Sequence, residues 1–292
     1  MDFLGTPIGY LMNLIYGIVS NYGLTIVILT IIFKAILLPL TLKQQKSTQA
    51  MQAIQPMVSE IQKKYANEKE RQSQEIMKLY KEYNVSPAAG CLPTLIQFPI
   101  LIGLYGAIAK PLKFMFGMNA EQIEKLCKLV GMSSTGKTYY YQIEAAQKAA
   151  SPEFFSKATQ ITSKFKALDF NFLGLNLSAT PKLGYLDFLW LLPVLAALLT
   201  YFSSKIMQPP AQDSKQEGQK ATKYMMYFFP VMILYLGFQV PTGLSLYWVV
   251  NSLLQILQFY FLDSKYKGKV ADEVVKEMET KRIERRNKKK NK

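Results

Sequence analysis

The chain has 292 residues, half of them apolar, and carries 35 lysines and arginines against 20 acidic residues, a net charge of +15. It holds no histidine, which excludes histidine-based acid–base catalysis. Such a pairing of apolar content with excess positive charge suits a basic membrane protein.

Residues 1–20 contain no lysine or arginine and so lack the charged start of a cleavable signal. Ile8, Leu11, Met12, Ile15 and Ile18, flanked by Tyr10 and Tyr16, predict an apolar helix lying in the membrane interface, with an extra half-span as the alternative. Residues 24–42 then form an almost uninterrupted apolar run, close to the ~20 residues a spanning helix requires, and define a first span over 21–42. Lys34 lies inside it. A lysine near the centre of a spanning helix costs roughly 2.5 to 3.5 kcal/mol, so such a residue normally faces a bundle interior or a wet cavity. Thr30, Lys34 and Thr41 stand at offsets of four and eleven, which brings them to one helix face.

Residues 43–87 are predicted as a helical hairpin. Met51, Ile54, Val58, Ile61 and Tyr65 recur at helical spacing, as do Ile76, Leu79, Tyr80 and Tyr83 after the polar stretch 66–72. Its glutamates nearly balance its bases, which argues against a simple phosphate-binding patch. A self-packed spacer and a receiver of partner or substrate are both open readings.

A second span over 91–110 is broken by Pro93, Pro99 and Gly103 and carries Gln97. Membrane helices tolerate such breaks where neighbours resatisfy the backbone. An extracytoplasmic loop, 111–185, leads to a third span, 186–207, a loop over 208–223, and a short fourth span, 224–240, containing Pro230. The fifth span, 241–262, bears Tyr247, Asn251, Gln255 and Gln258 at offsets of four, eight and eleven, again one face. The tail 263–292 ends KRIERRNKKKNK, too charged to bury a core. Lipid anchoring, ribosomal RNA contact and plain solubilising charge compete as its reading.

Basic residues near span ends set orientation. None precedes the first span, whereas Lys43 and Lys46 follow it, and Lys215, Lys220 and Lys223 mark the later loop. The expected fold is all-α with five transmembrane helices, N-terminus out and C-terminus in. That topology separates Cys91 at the inner end of span two from Cys127 in the outer loop, so they should not pair.

Residues 131–138 read GMSSTGKT, which satisfies the phosphate-loop pattern GxxxxGK[ST]. That motif works only between a buried strand and a helix. The preceding EQIEKLCKLV looks helical, so a glycine-bearing turn is expected instead. No Cys or carboxylate cluster has metal-ligand spacing, so neither a cofactor, a metal nor an enzymatic reaction is expected. None of the apolar runs 24–42, 91–109, 188–206, 224–240 and 244–262 contains a carboxylate to neutralise Lys34. A water-filled groove lined by both polar stripes resolves this, in which Lys34 attracts something negative from outside the bundle. A transporter or channel would use the same cavity, although five unequal spans lack the repeat symmetry usual in secondary transporters.

Three strings carry a family resemblance: NYGLTIVILTIIFKAILLPLTLKQQKSTQAMQAIQPMVSEIQKKY, SPAAGCLPTLIQFPILIGLY and FFPVMILYLGFQVPTGLSLYWVVNSLLQILQFYFL. In order and spacing they closely resemble the YidC/Oxa1/Alb3 membrane protein insertases, of the short Gram-positive-like bacterial type. The resemblance implies a multi-pass protein of the bacterial plasma membrane that inserts and helps fold newly made membrane proteins through a cytoplasm-facing, hydrophilic groove. It puts the groove charge at Lys34, where most bacterial members have arginine. Lysine keeps the charge and loses the planar fork that grips carboxylates. Substrate-contact positions fall at Thr30 and Trp248, the span-two glutamine at Gln97 and an inter-span turn at Pro241, Thr242 and Gly243. With the stripe residues Tyr247, Asn251 and Gln255, these form the expected substrate groove. The implied partners are nascent membrane proteins and the lipid bilayer, with the Sec translocon and the ribosome as further ones.

Overall fold

The computed structural model describes residues 2–83, 85, 92–132, 140–182, 184, 187–207, 217–261, 276 and 280. In chain order its elements are α1 (Asp2–Val19), α2 (Tyr22–Lys64), α3 (Lys69–Glu82), α4 (Leu92–Ala109), α5 (Pro111–Phe114), α6 (Ala120–Leu129), α7 (Tyr141–Ala149), α8 (Pro152–Ile161), β1 (Asn171–Phe172), β2 (Leu175–Asn176), α9 (Leu191–Met207), α10 (Glu217–Gly237) and α11 (Thr242–Phe261). The β1–β2 hairpin departs from an all-helical reading. Leu173 (φ 52°) and Gly174 (φ 80°) form its two-residue turn, and consecutive positive φ values there match the right-handed twist of paired strands.

Among the described residues, three helices are long and apolar enough to cross a membrane: Tyr22–Lys64, Phe188–Ile206 and Thr242–Phe261. The other expected spans correspond to shorter apolar helices, Phe98–Ala109 and Met226–Gly237. Prolines stand inside both α4, at Pro99, and α10, at Pro230. The helix that holds the first expected span does not stop at Leu42: α2 is 43 residues long and continues through Pro39 and Pro56.

The chain divides into two compact units, one of residues 1–35, 97–206 and 220–256, the other of residues 36–96, 207–219 and 257–292. In the first, Ile8, Met12, Ile15 and Tyr16 form the buried face of α1, at the i, i+4, i+7, i+8 spacing of a helix stripe. Close approach requires glycine at Gly9, where a Cβ would fall 2.3 Å from the Phe114 carbonyl oxygen. Within the segment expected as an outer loop, 111–185, the described residues carry four short helices, α5 to α8. Pro111 opens α5, and a capping box between Asn119 and Gln122 starts α6. Phe116, Ile123, Leu126, Ile143 and Ala146 join the same core as α1, α2 and α4.

A segment running from Phe165 to Ala179 then crosses the last turn of α1 and the starts of α2 and α11. Ala167 O accepts from the Tyr16 hydroxyl at 2.7 Å, and Asp169 N donates back to it at 2.8 Å. Asp169 O accepts from Tyr22 N at 2.9 Å, while the Asp169 carboxylate accepts from Asn21 Nδ2 and Asn171 N, each at 3.0 Å. Further along, Leu177 O accepts from Gly243 N at 3.0 Å and Ala179 O from Thr242 N at 2.9 Å. The strap therefore ties the first turn of α2 and the first turn of α11 to one piece of chain. Asp169 is one of its fasteners, through both its backbone oxygen and its carboxylate.

In the second unit, Ile54 and Val58 of α2 pack on Leu79 and Tyr83 to make a separate small core. Gln72 Nε2 donates to Gln62 O at 3.0 Å, and the Arg71 guanidinium lies 5.2 Å from the Tyr65 ring centroid. Exposed ion pairs, Arg71–Glu68 and Lys78–Glu75, decorate the outside and contribute little to stability.

Candidate functional site

Every expected groove residue belongs to the first unit. Helix α2 starts at Tyr22, with Asn21 Oδ1 accepting from Leu24 N at 3.0 Å as an N-cap. Hydroxyls inside the apolar run fold back on their own helix: Thr25 donates to Asn21 O at 2.8 Å and Thr30 to Ile26 O at 2.7 Å. That satisfies each hydroxyl without a partner helix. Thr30 is buried with its only hydroxyl proton engaged, so it offers a wall surface rather than a free donor.

Lys34 is half-buried one turn further on, beside the exposed Ile31 and Ile36. Among the described residues it forms neither an ion pair nor a hydrogen bond. Its charge is thus available to a group that is not part of the described chain.

On α11, Tyr247 is buried and Trp248 half-buried against the main core. Asn251 and Gln255 are half-buried, and the buried Asn251 Oδ1 lacks a donor among the described residues. Gln97 lies on α4, but its side chain is outside the described residues.

The two stripes belong to adjacent helices. A Cβ on Gly243 would lie 3.5 Å from Ile26 Cδ1, and both helices begin at the same strap, so they run in the same direction. Counting from that contact, Lys34 is eight residues beyond Ile26 and Asn251 eight beyond Gly243. At 1.5 Å rise per residue both descend by about 12 Å, which brings the unpartnered cation and the unpartnered amide oxygen to about the same level. A hydroxyl pair, Thr200 and Ser252 at 3.1 Å, joins α9 to α11 one residue further. Chemically, this arrangement can bind an anionic or polar group between apolar walls; it contains no nucleophile–base pair.

The phosphate-loop pattern finds no matching context. Helix α6 precedes it, and Gly131 (φ 69°) and Met132 close that helix by donating to Lys128 O and Cys127 O. Residues 133–139 lie outside the described ones. Cys127 is a buried free thiol, and Cys91 lies outside the described residues. Sequence reasoning overlooks the strap and two glutamines of α2, Gln45 and Gln49. The strap's signal is the NFLGLN turn, and that of the glutamines is their one-turn spacing.

Long apolar helices, one of which carries a half-buried lysine that is unpaired among the described residues, define a polytopic helical membrane protein. The sequence profile of the family described as 60Kd inner membrane protein matches residues 14–269. The membrane protein insertase YidC of Fusobacterium nucleatum is 32% identical over 258 residues, 88% of this chain and 94% of that protein. The YidC of Clostridium perfringens is 34% identical over 267 residues, 89% of this chain and 88% of that protein. Inner membrane protein ALBINO3 of Arabidopsis thaliana chloroplasts is 37% identical over 243 residues, 82% of this chain and 46% of that one. This chain belongs to the YidC/Oxa1/Alb3 family.

Proposed function

We propose that the chain is a membrane protein insertase and folding chaperone of the bacterial plasma membrane, acting without a cofactor or an enzymatic reaction. The carrying observation is Lys34: a cation in the apolar run of α2, unpaired among the described residues, in a chain whose relatives are named insertases. The groove is formed by Lys34, Thr30, Gln97, Tyr247, Trp248, Asn251 and Gln255. Five spans, with the N-terminus out and the C-terminus in, place residues 43–87 and the basic tail in the cytoplasm and residues 111–185 outside. Residues 1–20 lie in the outer interface.

The mechanism follows from this charge and these walls. An acidic or polar tail of a short membrane protein enters the groove and is drawn toward Lys34. The hydrophobic segment behind it slides past the Thr30 methyl and the Trp248 ring into lipid. Transfer of its apolar surface, at ~25 cal/mol per Å², drives insertion. Membrane potential assists an acidic tail at ~2.3 kcal/mol per charge per 100 mV. Nascent membrane proteins and lipid are the direct partners, with the Sec translocon and the ribosome as further ones.

The test is insertion of a single-span protein with an acidic N-terminal tail into sealed liposomes containing the purified chain, without added nucleotide. Protease-protected product that requires the chain is expected. Equal insertion into protein-free liposomes, with a working positive control, would remove the proposal.

A further inference from the structure

The second unit contains polar groups that the groove does not use. Gln49 on α2 is 9% exposed, yet both polar atoms of its amide, Oε1 and Nε2, lack partners among the described residues. Gln258 of α11 has a buried, unpartnered Nε2. Between these helices Gln45 Nε2 reaches Phe259 O at 3.5 Å, the outer limit of a hydrogen bond, which puts Gln45 beside the residue that follows Gln258, with Gln49 one turn further along α2. Buried amides left unpaired cost about 1 to 3 kcal/mol each, so an arrangement that retains them invites an external partner.

We propose that Gln45, Gln49 and Gln258 form a binding site for the backbone of an extended polypeptide segment, the polar tail of a protein being inserted. It rests on the insertase reading and adds a second, uncharged station on the same two helices. A carboxamide offers one acceptor and two donor hydrogens, the complement of a peptide group. Gln45 and Gln49 stand four residues apart, an axial separation of about 6 Å in a helix. An extended chain presents equivalent backbone groups every two residues, about 6.7 Å. The spacing therefore lets two amides grip successive same-side peptide groups. Because the amides are uncharged and read only backbone, the site accepts polar tails of varied sequence, whereas Lys34 favours acidic ones. Lipid chains offer such amides nothing, and a headgroup's charge would be met better by the neighbouring lysines.

The experiment uses the full-length chain in liposomes and a single-span polypeptide whose uncharged Gly/Ser/Asn tail carries a photoreactive residue. Wild type is set beside Gln49→Leu/Gln258→Leu. Cross-links from the tail to the peptides containing residues 45–49 and 258 are expected. The double variant should insert this substrate about tenfold more slowly, the loss of roughly two net hydrogen bonds, without a lower melting temperature. Cross-links confined to other peptides, or insertion by a folded double variant at the wild-type rate, overturn the site and leave hydrated amides in its place. Should the double variant misfold, the wild-type cross-link map decides alone. A wild-type chain that neither inserts nor cross-links the tail overturns the insertase reading as well.

Discussion

The Thr242 hydroxyl at the start of α11 donates to Asn176 O at 2.8 Å, with Ala179 O within reach at 3.1 Å, across more than sixty residues of sequence. Thr242 is fully buried, so this is a desolvated bond between the β2 strand and the last long helix. Losing it leaves a strand carbonyl without its side-chain donor. Thr242→Val, which preserves shape, should lower stability by about 1 to 3 kcal/mol, read as a lower melting temperature in detergent. Thr242→Ser should keep most of it. A Val variant melting with wild type would show that the hydroxyl adds nothing to the two backbone bonds by which the strap holds α11.

Packing of α1 makes a paired prediction at two glycines. Alanine favours helix over glycine by about 1 kcal/mol, so Gly→Ala should help wherever space allows. At Gly17 the nearest atom is the mobile Lys166 Nζ, 3.4 Å from the added carbon, and the change should be neutral or mildly stabilising. At Gly9 the added carbon meets backbone at 2.3 Å, and the α1–α5 contact must open, at an overpacking cost of about 1 to 3 kcal/mol. Hydrogen exchange along α1 should rise in Gly9→Ala and stay unchanged in Gly17→Ala.

These contrasts also separate what sequence carries from what it does not. The α2 and α11 polar positions can be read because offsets of four and eight residues define a helix face whatever surrounds it. The buried stripe of α1 is legible on the same ground. The continuity of α2 past Leu42 is not, because Lys43 and Lys46 change the environment without changing helix propensity. Nor is the strap: Asp169 works through its backbone oxygen as well as its carboxylate, and backbone partners leave no mark in residue type. The module within 111–161 escapes for a related reason. Its helices are four to ten residues long, too short for periodicity to distinguish them from loop.

Cys127 offers a chemical probe of that module. Its thiol is buried, and desolvation first, then the nearby Glu124 charge, raises its pKa above the ordinary thiol value. A raised pKa reduces the reactive thiolate at any given pH below it. In a Cys91→Ser background, alkylation should therefore be slow in the folded protein, shift its pH midpoint upward, and accelerate on denaturation. Rapid labelling at neutral pH in the folded state would contradict a packed α6.

Lys34 carries the functional prediction, and its charge can be isolated from its bulk. A pair of unit charges about 4 Å apart, at an effective dielectric constant of about 20, is worth about 4 kcal/mol. Even a third of that corresponds to tenfold in rate. Lys34→Arg keeps the sign and should insert acidic-tailed substrates at least as well as wild type, because its fork grips carboxylates in two places. Lys34→Ala should lose about tenfold on the same energetic grounds, and Lys34→Glu more. The decisive comparison varies the cargo too. With the tail aspartates replaced by asparagine, the four proteins should converge, since the attraction being altered is no longer there. Added salt should narrow the gap between wild type and Lys34→Ala for acidic tails only, to the degree that the groove is wet. If Lys34→Glu inserted acidic and neutral tails with the same relative loss, Lys34 would be acting through the hydration or packing of the groove, and the attraction of acidic tails would have to come from elsewhere in the chain.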